Sequence, residues 1–147
     1  MGNLYIIRGL PGSGKTTLAR TLSERYECAY YEADQYFEQD GEYRFDPKML
    51  YMAHHECFTK TMADLQEGND VIVSNTFTTL KEMRDYIDCA MAEGHMVHVI
   101  HCEGDYGSIH NVPIASVERM RGRWLTNSQL VEIYEHGISI CTYKKDR

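Results

Sequence analysis

A chain of 147 residues with 43% hydrophobic and 25% charged side chains has the size and composition of one domain with its own core. No apolar run reaches the roughly 18 residues that a bilayer-spanning helix needs, and the net charge of −7 argues against tight binding along a long nucleic-acid backbone. A short strand end held in a local basic pocket remains compatible with that charge. The first residues run straight into an apolar strand pattern, so we expect no signal peptide, no membrane partner and a cytoplasmic location. Cys28, Cys57, Cys89, Cys102 and Cys141 are odd in number and form no C-x-x-C pair, which in such a setting means reduced, structural thiols.

The chain alternates strand and helix patterns. Leu4–Arg8 is a nearly continuous apolar run, as expected of a buried parallel strand. A glycine-rich turn follows, and Thr16 to about Tyr26 reads as a helix. Ala29–Ala33 reads as a second strand, and residues 34–45, polar and aromatic, as a loop. Asp46-Pro47 opens a long helix, with aspartate suited to the N-cap and proline to the first turn. Its expected inward face is Leu50, Ala53, Cys57, Phe58 and Leu65, and Gly68 ends it. Val71–Ser74 is another buried strand. Thr79-Leu80-Lys81-Glu82 is a capping box, opening a helix that turns Leu80, Met83, Ile87, Ala90 and Met91 inward and stops at Gly94. Met96–Cys102 reads as a strand. Pro113 opens a helix with Ile114, Val117 and Met120 in register. The tail from Leu130 reads as helix to about Glu135 and a short strand at Ile138–Cys141. Such alternation predicts an α/β domain, residues 1–147, with a central parallel sheet and helices on both faces. Ligands of such sheets bind at the carboxyl ends of strands.

Gly9-Leu10-Pro11-Gly12-Ser13-Gly14-Lys15-Thr16 matches G-x-x-x-x-G-K-[ST], placed between an apolar strand and a helix as that motif requires. Glycines let the backbone turn tightly and aim successive N–H groups at one anion, and the helix adds its positive end. The expected fold is therefore a P-loop NTPase-type three-layer sandwich that binds ATP and Mg²⁺. Gly9, Pro11, Gly12, Ser13, Gly14, Lys15, Thr16 and Thr17 are the expected nucleotide ligands, with Lys15 on the β- and γ-phosphates and Thr16 on the metal. No N/T-K-x-D base-reading motif of a GTPase is present, and a ring-forming ATPase needs a larger module. Small kinases remain as the leading class.

Four segments then resemble one family: the Gly9–Thr17 loop, Tyr31-Glu32-Ala33-Asp34-Gln35-Tyr36, Val71-Ile72-Val73-Ser74-Asn75-Thr76, and His110-Asn111-Val112-Pro113 with Met120 and Arg123-Trp124. Their order is similar to that in small P-loop kinases related to the kinase domain of phage polynucleotide 5′-kinase and to the NEDD4-binding-protein-2 type of ATP-binding domain. The resemblance implies that Asp34 is the general base that takes a proton from an acceptor hydroxyl and that it stands near the metal. It also implies that Asn75, Thr76 and Tyr36 lie near the acceptor. Many members carry an aspartate where this chain has Ser74, which shifts metal work onto Thr16 and Asp34. An Arg-Asn pair of the family reads Gly107-Ser108 here, within a lid expected around residues 103–124. Arg119, Arg121 and Arg123 follow, and Arg123 is the first choice for the missing cation.

Plainer explanations stand beside these. Asp34 would otherwise read as a loop aspartate that caps a helix, Asn75 and Thr76 as a polar strand end, and the three arginines as a solvated helix face. Tyr36, Phe37, Tyr43 and Phe45 either stack on an acceptor base or close the core. His54 with Cys57 lacks a second ligand pair, and His95, His98 and His101 on one strand point to alternate faces, so neither set is expected to hold a metal. The implied function is ATP-dependent transfer of the γ-phosphate to a hydroxyl, foremost the 5′-hydroxyl of a polynucleotide. A nucleoside or other small acceptor, or a non-catalytic NTP-binding module acting through a partner, are the alternatives.

Overall fold

The computed structural model describes residues 2–106, 112–135 and 137–144. Five parallel strands form the central sheet: β1 (Asn3–Arg8), β2 (Ala29–Tyr31), β5 (Val71–Asn75), β6 (Met96–Cys102) and β7 (Ser139–Tyr143). Their spatial order is β2-β5-β1-β6-β7. The helices are α1 (Lys15–Tyr26), α2 (Leu50–Gln66), α3 (Leu80–Ala92), α4 (Ile114–Gly122) and α5 (Asn127–Tyr134).

Strand β1 sits at the centre because it is apolar on both faces. Leu4 and Ile6 face one layer with Val71, Val73, Val97 and Val99, against Ala53, Leu65, Met83, Ile87 and Leu130 from α2, α3 and α5. Ile7 faces the other with Ile72, against Leu18 and Ala19 of α1. Each of these strand side chains is essentially fully buried, and such burial contributes about 1.5–3 kcal/mol apiece. The three-layer α/β architecture expected from the alternating pattern is therefore the one observed. The connections from β1 and β6 leave in opposite directions, toward β2 and β7, so the crevice at their carboxyl ends is the topological switch point.

Several boundaries differ from expectation. β2 ends at Tyr31, because Ala33–Phe37 winds into a 3₁₀ turn that buries Ala33 and Phe37. The expected loop 34–45 also holds a two-residue hairpin, β3 (Glu38–Gln39) with β4 (Glu42–Tyr43). Phe37 packs edge-on against Tyr36, Tyr43 and Phe45, so the aromatic cluster does close a core at this corner. Pro47–Met49 is a 3₁₀ turn ahead of α2, with Asp46 accepting from the Lys48 N–H. The buried stripe of α2 starts one turn later than expected, at Ala53, and leaves Leu50 exposed. It includes Thr61, whose polarity hid it from the pattern and whose hydroxyl donates to Cys57 O at 2.8 Å. In α3 Tyr86 is buried in place of Met91. Ile114 is 81% exposed, and the helix from Pro113 stops at Gly122, so the apolar spacing of α4 does not mark a core face. A Thr126–Gln129 capping box starts α5, a T-x-x-Q pattern that the sequence displays.

One buried cation ties this last part of the chain to the sheet. Arg8 ends β1 with its side chain fully buried. Its Nε and Nη2 donate to Phe77 O at 3.0 and 2.8 Å, and its guanidinium lies 4.1 Å from the centre of the Trp124 ring. Trp124 also leans on His101, which pairs with Arg8 in the β1–β6 register. Beside it, Arg123 Nε donates to Thr78 Oγ1, Thr78 donates to Glu82, and the Leu125 N–H donates to Thr78 O. Burial pulls the Arg8 pKa down to about 10, against the opposing field of Glu82.

Three outcomes follow from this packing. Met83→Ala is expected to destabilise the fold by about 2–5 kcal/mol, while Ile114→Ala stays within about 0.5 kcal/mol, both read by urea unfolding. Arg8→Met leaves Phe77 O buried without its charged donor and is expected to lose about 1.5–3 kcal/mol in the same measurement.

Candidate functional site

The glycine-rich turn leaves the carboxyl end of β1 at the switch point and leads into α1. Gly14 adopts φ 93°, a left-handed conformation that favours glycine, and supplies no side-chain cap to α1. The first N–H groups of the helix are thereby left to an anion. Gly9 is required for a different reason. A Cβ there would strike the Ser13 side chain and come within 2.8 Å of Cys102 O. The Ser13 N–H donates to Leu10 O and closes the turn, while the Gly9 N–H donates to Thr76 O at 3.4 Å. The loop thus rests between the ends of β5 and β6.

Lys15 opens α1 and folds back over the loop, with Nζ donating to Leu10 O at 3.1 Å. Burial holds its pKa below the usual lysine range, opposed by the charges of Glu32, Cys102 and Asp34. Thr16 Oγ1 donates to Glu32 Oε1 at 2.8 Å. Burial raises the pKa of Glu32, while the Thr16 hydrogen bond and Lys15 lower it. Glu32 was not singled out from the sequence. Nothing local marks it, because its partner lies 16 residues earlier and meets it only when β2 folds beside β5.

Asp34 lies on the 3₁₀ turn just past β2 with its side chain exposed, and Tyr43 OH donates to its Oδ1 at 3.3 Å. Burial first, then Asp34, pushes the Tyr43 hydroxyl up to about 12. The turn is fastened from β5: the Ala33 N–H donates to Asn75 Oδ1 at 2.8 Å, and Asn75 Nδ2 reaches Cys57 Sγ at 3.7 Å. Asn75 thereby touches the residue preceding Asp34, and Thr76 meets the loop through its carbonyl. Tyr36 lines a small crevice with Tyr31, Glu32, Ala53, Glu56 and Lys60. Ser74 is buried on β5, and its Oγ has no hydrogen-bond partner among the described residues.

The start of the expected lid lies on the loop itself. The Tyr106 N–H donates to Gly12 O at 2.7 Å, and its ring covers Gly14. Tyr106 is a contact that sequence reasoning missed. Gly107, Ser108, His110 and Asn111 lie outside the described residues. Arg119 meets Ser116 and Arg121 meets Glu118 on the exposed side of α4, whereas Arg123 is held at Thr78. His98 bridges Asn3 and Ser139, and among the described residues no group of three or more His, Cys, Asp or Glu is placed to hold a metal alone. No described helix is long and apolar enough to cross a membrane.

What this arrangement offers is an anion cradle, a buried lysine, a hydroxyl–carboxylate pair and an exposed carboxylate at one sheet edge. Known proteins share the fold in outline. Human NEDD4-binding protein 2 is 36% identical over 110 residues, which is 69% of this chain and 6% of that protein, so the chain spans a small part of that relative's length. The structure is similar to Kti12 of Chaetomium thermophilum in complex with ADP-AlF₃, with TM-score 0.71 and 14% identity over 98% of this chain and 91% of that one. It also resembles a chain of the Pnkp1/Rnl/Hen1 RNA repair complex, with TM-score 0.56 and 18% identity over 89% of this chain and 42% of that one. These likenesses show a kinase-like P-loop fold. The model of the AAA domain family AAA_33 matches residues 4–110, well over half of the sequence, and the chain belongs to that family.

Proposed function

We propose that this protein is an ATP-dependent kinase that transfers the γ-phosphoryl group to a hydroxyl, and that the acceptor is the 5′-hydroxyl of a polynucleotide. The observation that carries the reading is the placement of Asp34. An exposed carboxylate stands just past β2, two strands from β1 in the sheet, close enough for its charge to act on Lys15, on a turn fastened to Asn75. A carboxylate in that position can accept the proton of a hydroxyl whose oxygen attacks the γ-phosphorus. The bond from that phosphorus to the bridging oxygen of ADP then breaks, and Asp34 keeps the proton.

Within this proposal the loop N–H groups and Lys15 hold the phosphates, and Asn75, Thr76 and Tyr36 border the acceptor. Arg123 is the cation offered to the transferring group, from its place at Thr78. Thr16 and Glu32 present hard oxygen donors side by side, a set that fits Mg²⁺, and Asp34 is near them. When bound there, Mg²⁺ would neutralise charge on the phosphate oxygens. The polynucleotide acceptor is supported by the RNA repair complex among the similar structures. The charge of −7 favours a second reading, in which the acceptor is a nucleoside or another small hydroxyl compound.

Incubation with γ-labelled ATP and a panel of 5′-hydroxyl DNA, 5′-hydroxyl RNA, nucleosides and nucleotides separates the readings. Label on an oligonucleotide end is expected. Label only on nucleosides supports the small acceptor, and no transfer despite ATP binding sinks both. Asp34→Ala is expected to retain ATP affinity and lose about 10²–10⁴-fold in turnover, and unchanged turnover would exclude it as the base. Lys15→Ala is expected to lose both affinity and turnover, measured by calorimetry and the same transfer assay.

A further inference from the structure

The structure assigns Glu32 a role in metal binding: we infer that it is the carboxylate serving Mg²⁺ in this site, displaced by one strand to Glu32 from the place that Ser74 occupies. The inference rests on the nucleotide-binding reading above and deepens it. In P-loop sites the metal is held by the loop Ser/Thr hydroxyl together with a carboxylate from a nearby strand end. Here the strand beside β1 carries Ser74 just before its last residue, only 2% exposed and with no partner for its Oγ among the described residues. A buried hydroxyl cannot supply the missing negative charge.

The parallel register shows where the charge has gone. Tyr31 pairs with Val73, so Glu32 comes level with Ser74, one strand spacing or about 4.8 Å further out. Glutamate is one methylene longer than aspartate, which recovers part of that distance. Its Oε1 accepts from Thr16 Oγ1 at 2.8 Å. A hydroxyl that gives its only proton to a carboxylate turns its lone pairs elsewhere, and those lone pairs are what a hard cation binds. The bond to Thr16 is also the directed one, since Lys15 Nζ donates to Leu10 O. Mg²⁺ keeps several waters and takes further ligands from phosphate, so one hydroxyl and one carboxylate are a sufficient protein contribution. Glu32 is thus a positioning residue, which orients the Thr16 hydroxyl and accepts from water on the metal.

The test compares the wild-type chain, Glu32→Gln and Glu32→Gln/Ser74→Asp. Mn²⁺ binding in the presence of ADP is followed by electron paramagnetic resonance, and ADP affinity by calorimetry without metal. Glu32→Gln is expected to weaken the metal about 10–100-fold while metal-free ADP affinity stays within about twofold. Adding Ser74→Asp is expected to restore about tenfold or more of the lost metal affinity, because it returns the carboxylate to the neighbouring strand end. Metal affinity of Glu32→Gln within about twofold of wild type overturns the inference, as does an equal fall in metal-free ADP affinity, which would mark a role in loop structure alone. A double variant no better than the single overturns the link to Ser74. Because no readout involves phosphoryl transfer, a wild-type chain that binds Mn²⁺ and ADP through Glu32 but labels no acceptor would sink the kinase reading and leave this one standing.

Discussion

The site depends on the close approach of the Gly9–Lys15 turn to the end of β6, where a Cβ at Gly9 would come within 2.8 Å of Cys102 O. The turn must pass close to the end of β6 while Ser13 folds over Gly9, and a single Cβ at Gly9 would force these groups apart. The same approach requires β1 to lie between β5 and β6, which in turn requires strand faces apolar on both sides. Core packing and the phosphate cradle are therefore one arrangement, with the cradle at the end of the central strand.

Around this cradle the other groups arrive by sheet register. Parallel pairing sets Tyr31 beside Val73, and the next residue outward on each strand is the pair Glu32 and Ser74. The acid of the site is thus found just past β2. Asn75, one residue on, reaches across to the Ala33 N–H and fastens the turn that presents Asp34. A shift of β2 by one residue would turn Glu32 away from Thr16 and separate Asp34 from the loop. Register carries as much of the site's geometry as the P-loop does.

Arg8 connects the same strand end to the last residue of the expected lid, Trp124. Its bonds to Phe77 O and its stacking on Trp124 join two chain regions far apart in sequence. Phe77, at φ 46°, adopts a backbone conformation uncommon for a bulky residue, and its carbonyl is directed to the guanidinium. This explains why α4 needs no buried stripe. The adjoining Trp124, Thr78 and Arg123 anchor its end by stacking and hydrogen bonds, and Ile114 remains in solvent.

The sequence by itself determined the P-loop, the α/β alternation, the central strands and the Thr79–Glu82 cap, because each depends on residues within a few positions of one another. Apolar runs, a glycine spacing and a capping pair are local constraints, and no partner far along the chain alters them. The 3₁₀ turn at Ala33–Phe37, the buried Thr61, the exposed Ile114 and the Arg8–Trp124 stack were not legible in this way. Each arises from a contact with a distant element that overrides local preference. Glu32 is the clearest case. As a letter it is one of many acids, and only the pairing of β2 with β5 brings its carboxylate to the hydroxyl of Thr16, because register is a property of two strands and not of either alone.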